Sequence, residues 1–104
     1  MTAYSIAPAA RQDLHDIIDY VAAHDPDAAR RVLEALSSAF SRLSRHPALG
    51  HARPDLTAQP VRFWPVLRRY TVTYRETRGM IEIVRVFSAG QDIASHLDDA
   101  FRDT

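Results

Sequence analysis

Residues 61–87, VRFWPVLRRYTVTYRETRGMIEIVRVF, set the strongest constraint on what this chain can become. Tyr70, Val72 and Tyr74 alternate with Thr71, Thr73 and Arg75, and β-branched and aromatic side chains dominate the whole stretch. A period of two in such residues is the mark of extended strands. Val61, Phe63 and Pro65 begin a first strand, Tyr70–Arg75 make a second, and Met80–Phe87 make a third, apolar on both faces apart from Glu82 and Arg85. The turn Glu76-Thr77-Arg78-Gly79 supplies glycine where a hairpin needs positive φ. Between Arg53 and Arg85 stand seven arginines against three acids, so the strands predict an acidic or anionic partner.

The period changes upstream. Tyr4–Ala7 predict a short first strand, and Pro8 stands where a helix can begin without losing a hydrogen bond. Ala10, Leu14, Ile17, Ile18 and Val21 recur at helical spacing, with Arg11, Asp13, Asp16 and Asp19 on the polar side. This predicts a first helix over Pro8–Ala23. Asp25 is a good N-cap, and Pro26 both forces the first helix to stop and suits the start of a second, Pro26–Arg45. The apolar stripe of the second helix is Ala29, Val32, Leu33, Leu36, Ala39, Phe40 and Leu43. So short a link predicts an antiparallel helical hairpin. Residues 47–60 hold three prolines and a glycine and read as a loop. Gln91–Phe101 read as a short final helix with Ile93, Leu97 and Phe101 inward. The order is βααβββ with a C-terminal helix: one α+β domain over 1–104, an antiparallel sheet packed against the helical hairpin.

Composition narrows the function. A chain of 104 residues with 46% hydrophobic and 25% charged residues holds one modest core. The net charge of zero argues against a general nucleic-acid binder. All thirteen basic residues are arginine, which makes planar contacts to carboxylate and phosphate that lysine does not. With no cysteine, disulfides, thiolate metal sites and a cysteine nucleophile are excluded, in keeping with a cytoplasmic setting. The N-terminus lacks a signal-peptide pattern, and no apolar run approaches a membrane span.

The usual catalytic patterns are missing. His15, His24 and His46 lie on or at the ends of helices, without metal-binding spacing. His51 and His96 are the histidines nearest the basic strands and read first as surface residues. Asp13, Asp16 and Asp19 read as a solvated helix face. There is no phosphate-cradling glycine loop and no serine nucleophile motif. No metal and no cofactor is expected. In strand phase, Val61 and Phe63 are expected to face the helices and Arg62 the open face. Arg85 shares a phase with Ile81, Ile83 and Phe87; it is either a structural ion pair, with Glu82 or a tail aspartate, or a functional group. Trp64 is either core or an exposed anchor for a partner.

Several phrases in their order resemble the RelE/ParE superfamily of bacterial toxins from type II toxin–antitoxin pairs, and within it the ParE branch. They are Ala9-Ala10-Arg11-Gln12-Asp13-Leu14, Ile17-Ile18-Asp19-Tyr20-Val21-Ala22, Asp25-Pro26 and Leu43-Ser44-Arg45-His46-Pro47-Ala48-Leu49-Gly50. Further along come Arg53-Pro54-Asp55-Leu56, Val61-Arg62, Arg69-Tyr70, Tyr74-Arg75 and Ile81-Glu82-Ile83-Val84-Arg85-Val86. Together they span residues 4–97. The resemblance implies the βααβββ fold, growth arrest unless a cognate ParD-like antitoxin sequesters the toxin, and a role in plasmid stabilisation.

RelE-like members cut messenger RNA on the ribosome with basic residues and a tyrosine, whereas ParE-like members act on DNA gyrase. Of the nuclease positions, the first falls on Arg62 and keeps its charge; the others fall on Trp64, Thr71, Gln91 and Leu97. Arg62 alone cannot activate the 2′-hydroxyl, protonate the leaving oxygen and stabilise charge. The resemblance therefore implies a gyrase inhibitor that does not bind DNA directly. The alternatives are a nuclease using Arg62 and His96, or an inactive module working only in the antitoxin complex. The ParE branch commonly carries an arginine near the position of Gln91. Arg62, Trp64, Arg68, Arg69, Arg85 and Phe87 are the expected partner-binding residues.

Overall fold

The computed structural model describes the backbone of residues 4–102 and the side chains of residues 4–97. The element order is β1 (Tyr4–Ile6), α1 (Pro8–Ala22), α2 (Pro26–Arg45), a single 3-10 turn (Pro47–Leu49), β2 (Arg62–Val66), β3 (Tyr70–Thr77), β4 (Met80–Ser88) and α3 (Ile93–Arg102). One four-stranded sheet runs β1-β4-β3-β2. Its pairs are antiparallel except β1 with β4, which are parallel because the helical hairpin returns the chain between them.

Local chemistry fixes the element ends. Ala7 closes β1 by donating its N–H to the Ile83 carbonyl at 2.9 Å, and Pro8 starts α1 on the next residue. Asp25 caps α2, its carboxylate accepting from the N–H groups of Asp27 (3.0 Å) and Ala28 (3.2 Å). The β3–β4 hairpin turns through Arg78 and Gly79, both at positive φ, the backbone form of the tightest hairpins. The β2–β3 turn also has two left-handed residues, Leu67 (φ 55°) and Arg68 (φ 56°), where each Cβ costs about 1–2 kcal/mol.

The α1–α2 hairpin covers one face of the sheet. Leu36, Phe40 and Leu43 of α2 and Ala10 and Ile17 of α1 pack on Val66, Tyr70, Val72, Tyr74, Ile81, Ile83 and Val86. Burying each such side chain contributes about 1.5–3 kcal/mol. The other face is not open. Val61, Phe63, Val84 and Phe87 pack under Leu97 of α3, with Ile93 and Leu56 alongside.

That second cluster corrects two expectations. Val61 and Phe63 face α3, not the helical hairpin; with both faces apolar, alternation alone cannot say which residues point which way. Arg62 pairs with Tyr74 on the hairpin side instead. The second correction comes from a β-bulge in β4. Thr73 pairs with Arg85 but Tyr74 with Ile83, so Val84 is the extra residue. The bulge turns Arg85 and Phe87 away from the face that holds Ile81 and Ile83. Phe101 and the tail aspartates beyond Leu97 lie outside the described side chains.

Candidate functional site

The arginines of the strands fall into three environments. Arg85 is locked in place. Its Nε and Nη2 donate to Asp13 of α1 at 2.7 and 2.8 Å, and its Nη1 donates to the His96 carbonyl of α3 at 3.0 Å. The same Asp13 accepts from the Val86 backbone N–H at 2.9 Å. β1 covers the edge of β4 only as far as Ile83, and Asp13 closes the edge beyond it. Asp13 is therefore a half-buried partner of Arg85 rather than part of a solvated row. Glu82, the partner expected for Arg85, pairs with Arg75 at 2.8 Å.

Arg62 belongs to a second environment, around Tyr74. The Tyr74 hydroxyl donates to the Pro47 carbonyl at 2.6 Å and accepts from the Gly50 N–H at 2.8 Å. Arg62 Nη1 donates to the Gly50 carbonyl at 2.8 Å. These bonds tie the start of the 47–60 loop to the sheet, and His51 continues the tie by pairing with Phe63 in both directions. Burial pushes the Tyr74 phenol above its ordinary value; the Gly50 N–H and the Arg62 charge pull the other way. Trp64 is half-buried against the main core, with the Arg42 guanidinium 5.7 Å from its ring centre.

The third environment is the β2–β3 tip, where Arg68 and Arg69 are exposed. Arg69 borders a groove between α1 and the ends of β3 and β4, lined by Tyr20, Val21, Tyr70, Ser88 and Ala89. Of the expected partner-binding residues, Arg62, Arg68 and Arg69 present themselves to solvent, Trp64 does so in part, Arg85 is paired, and Phe87 lies beneath α3. Tyr20 and Leu67, which are not among the expected partner-binding residues, are among the most exposed large apolar side chains, at 72% and 55%. The available signal was their place off the apolar stripe of α1 and inside a turn.

The nuclease positions do not converge. Arg62 is on the hairpin side of the sheet, while His96 packs on Phe87 on the other side, with ring centres 6.4 Å apart. Gln91 spends its side-chain oxygen on the Ser88 N–H at 2.6 Å, and Leu97 is fully buried. Among the described residues no three histidine, aspartate or glutamate side chains are grouped to hold a metal ion, and no helix is long and apolar enough to cross a membrane.

Fold and surface together describe a small α+β domain with an exposed arginine-bearing tip between β2 and β3. Residues 4–93 match the ParE toxin of the type II toxin–antitoxin system parDE, and the chain belongs to that toxin family. A solved structure described as the chromosomal ParDE toxin–antitoxin system from P. aeruginosa shares the fold, with a TM-score of 0.71 at 21% identity, over 85% of this chain and 96% of that one. No curated protein matches. Family membership implies an antitoxin as partner.

Proposed function

We propose that this toxin arrests growth by binding and inhibiting DNA gyrase, and that a cognate ParD-like antitoxin neutralises it. The observation that carries the reading is the dispersal of the nuclease positions. General acid–base cleavage of RNA needs donor and acceptor groups within hydrogen-bond reach of one substrate. Here Arg62 and His96 stand on opposite sides of the sheet, and Leu97 is committed to packing. Among the described residues the mapped nuclease positions bring no acid, base and cation together, which favours a surface that holds a protein. Exposed Arg62, Arg68 and Arg69 beside half-buried Trp64 supply the residue types that anchor protein interfaces. An acidic antitoxin segment would gain speed and specificity from this surface.

The test is supercoiling by purified gyrase. The protein is expected to inhibit it, and added antitoxin to restore it. Normal supercoiling at stoichiometric excess of toxin rejects the reading. Arg62→Ala and His96→Ala are expected to leave cellular messages as intact as the wild type does; codon-specific cleavage that either change abolishes would establish the nuclease instead.

A further inference from the structure

We infer that the β2–β3 tip, Leu67-Arg68-Arg69, is the element that engages the toxin's target, and that it fits an acidic protein surface with an apolar socket. The inference rests on the reading of the chain as a toxin that binds a protein target.

The tip is built against its own stability. Arg69 donates to the Val66 carbonyl at 3.2 Å, closing a tight turn whose two central residues are both left-handed. Asparagine, aspartate or glycine suits those positions, and the neighbouring β3–β4 turn uses Gly79 at one of them. Here a leucine and an arginine stand there instead. Strained backbone kept by a folded protein is a pointer to function at that site. The strain is held in a fixed place, because Ala89 donates to the Arg69 carbonyl at 2.7 Å and ties the turn to the end of β4.

What the strain displays has the chemistry of an anchor. Leu67 is 55% exposed at the apex. Arg68 and Arg69 are exposed beside it, and their guanidinium groups have no hydrogen-bond or ion-pair partner among the described residues. Elsewhere Arg30, Arg31, Arg53, Arg75 and Arg85 each pair with a carboxylate. Tyr20, 72% exposed, lines the groove beside Arg69 and widens the patch toward α1. Leucine, tyrosine and two adjacent unpaired guanidinium groups match an apolar socket rimmed with carboxylates. A nucleic acid is a poorer fit, since the chain is neutral overall and an apolar apex gains nothing from phosphates.

The experiment separates strain from stability. Leu67→Gly relieves the backbone and removes the apex; Arg68→Glu/Arg69→Glu reverses the charge. Both variants are purified, melted, assayed against gyrase supercoiling, expressed in cells for growth arrest, and co-expressed with the antitoxin. Leu67→Gly is expected to melt at or above the wild-type temperature while needing at least ten-fold more protein for half-inhibition, and the double variant to lose inhibition. Leu67→Gly is expected to co-purify with the antitoxin as the wild type does. Variants that inhibit gyrase and arrest growth at wild-type concentrations overturn the inference and leave the gyrase reading intact. A wild-type protein that spares gyrase but arrests growth, with arrest lost in both variants, overturns the gyrase reading and keeps the tip. Wild-type protein that arrests nothing overturns both. Binding of a short DNA duplex that Arg68→Glu/Arg69→Glu abolishes overturns the assignment to a protein partner.

Discussion

Removing Asp13 should damage this protein more than its place on a polar helix face suggests. The Asp13 carboxylate accepts from two nitrogens of Arg85 and from the Val86 N–H, and the two charged side chains keep only 12% and 14% of their surface exposed. Asp13→Ala takes from the Arg85 guanidinium the carboxylate that accepts from two of its nitrogens, and leaves the Val86 N–H without its acceptor. Deleting one member of a buried pair costs about 3–5 kcal/mol, and the residual exposure places this case near the lower end. A loss of about 3 kcal/mol corresponds to a fall in Tm of roughly 12–24 °C for a domain of this size. Asp13→Asn keeps one acceptor oxygen and should cost about 1–2 kcal/mol. Replacing both partners, as in Asp13→Leu/Arg85→Met, should recover much of the loss, because no charge is then stranded. Urea unfolding of the wild type, Asp13→Leu, Arg85→Met and Asp13→Leu/Arg85→Met gives the coupling through a double-mutant cycle, with an unchanged m-value showing that the same transition is measured. We expect a coupling of about 2 kcal/mol; a value under about 0.5 kcal/mol would refute the view that this pair holds α1 to β4.

The Tyr74 network makes further predictions. Tyr74→Phe strands the Gly50 N–H and should cost about 1–3 kcal/mol in urea unfolding. In Gly50→Ala the new Cβ would lie 2.6 Å from the Tyr74 hydroxyl, so a comparable loss of about 1–3 kcal/mol is expected although the φ there suits alanine; wild-type stability would contradict the packing described. Because burial raises the folded-state pKa of Tyr74 above 10.0, its contribution is complete below pH 10 and falls away as pH rises toward the folded value. The alkaline loss of stability should therefore be shallower in Tyr74→Phe, whose tyrosinate absorbance should also lack the latest-titrating component. Leu97→Ala opens a cavity under α3 and should cost about 2–5 kcal/mol; a cost below about 1 kcal/mol would mean that α3 is not part of the core.

The helices were legible because proline and aspartate punctuate them. Asp25-Pro26 fixed the hairpin, and the α2 stripe was right save for Leu33, which is exposed. The three main strands were equally plain. What the sequence hid was which face of the sheet each residue occupies. Pattern reading assumes that one face is wet, and here both are covered. The bulge at Val84 then shifts the phase within a strand whose residues are apolar on both sides of it. Asp13 and Arg85 are 72 positions apart, a separation that local periodicity does not register. The β2–β3 tip was hidden for another reason: Leu67 and Arg68 are not the residues such a turn favours.

Two stretches along the margins of the sheet are already occupied, which restricts how anything can attach there. On one side β1 spans three residues of β4, after which Asp13 and Gln91 occupy the N–H groups of Val86 and Ser88. On the other side His51 takes both backbone bonds of Phe63, and Pro65 has no N–H to offer. An incoming extended segment would have to evict Asp13 or Gln91 to reach the Val86 or Ser88 N–H, or His51 to reach the Phe63 backbone, and displacing Asp13 would also break its pair with Arg85. These two stretches are thus poor templates for a further strand. A partner arriving as a helix meets no such toll, and it can settle over Tyr20 and the neighbouring groove without opening any bond that holds the sheet together.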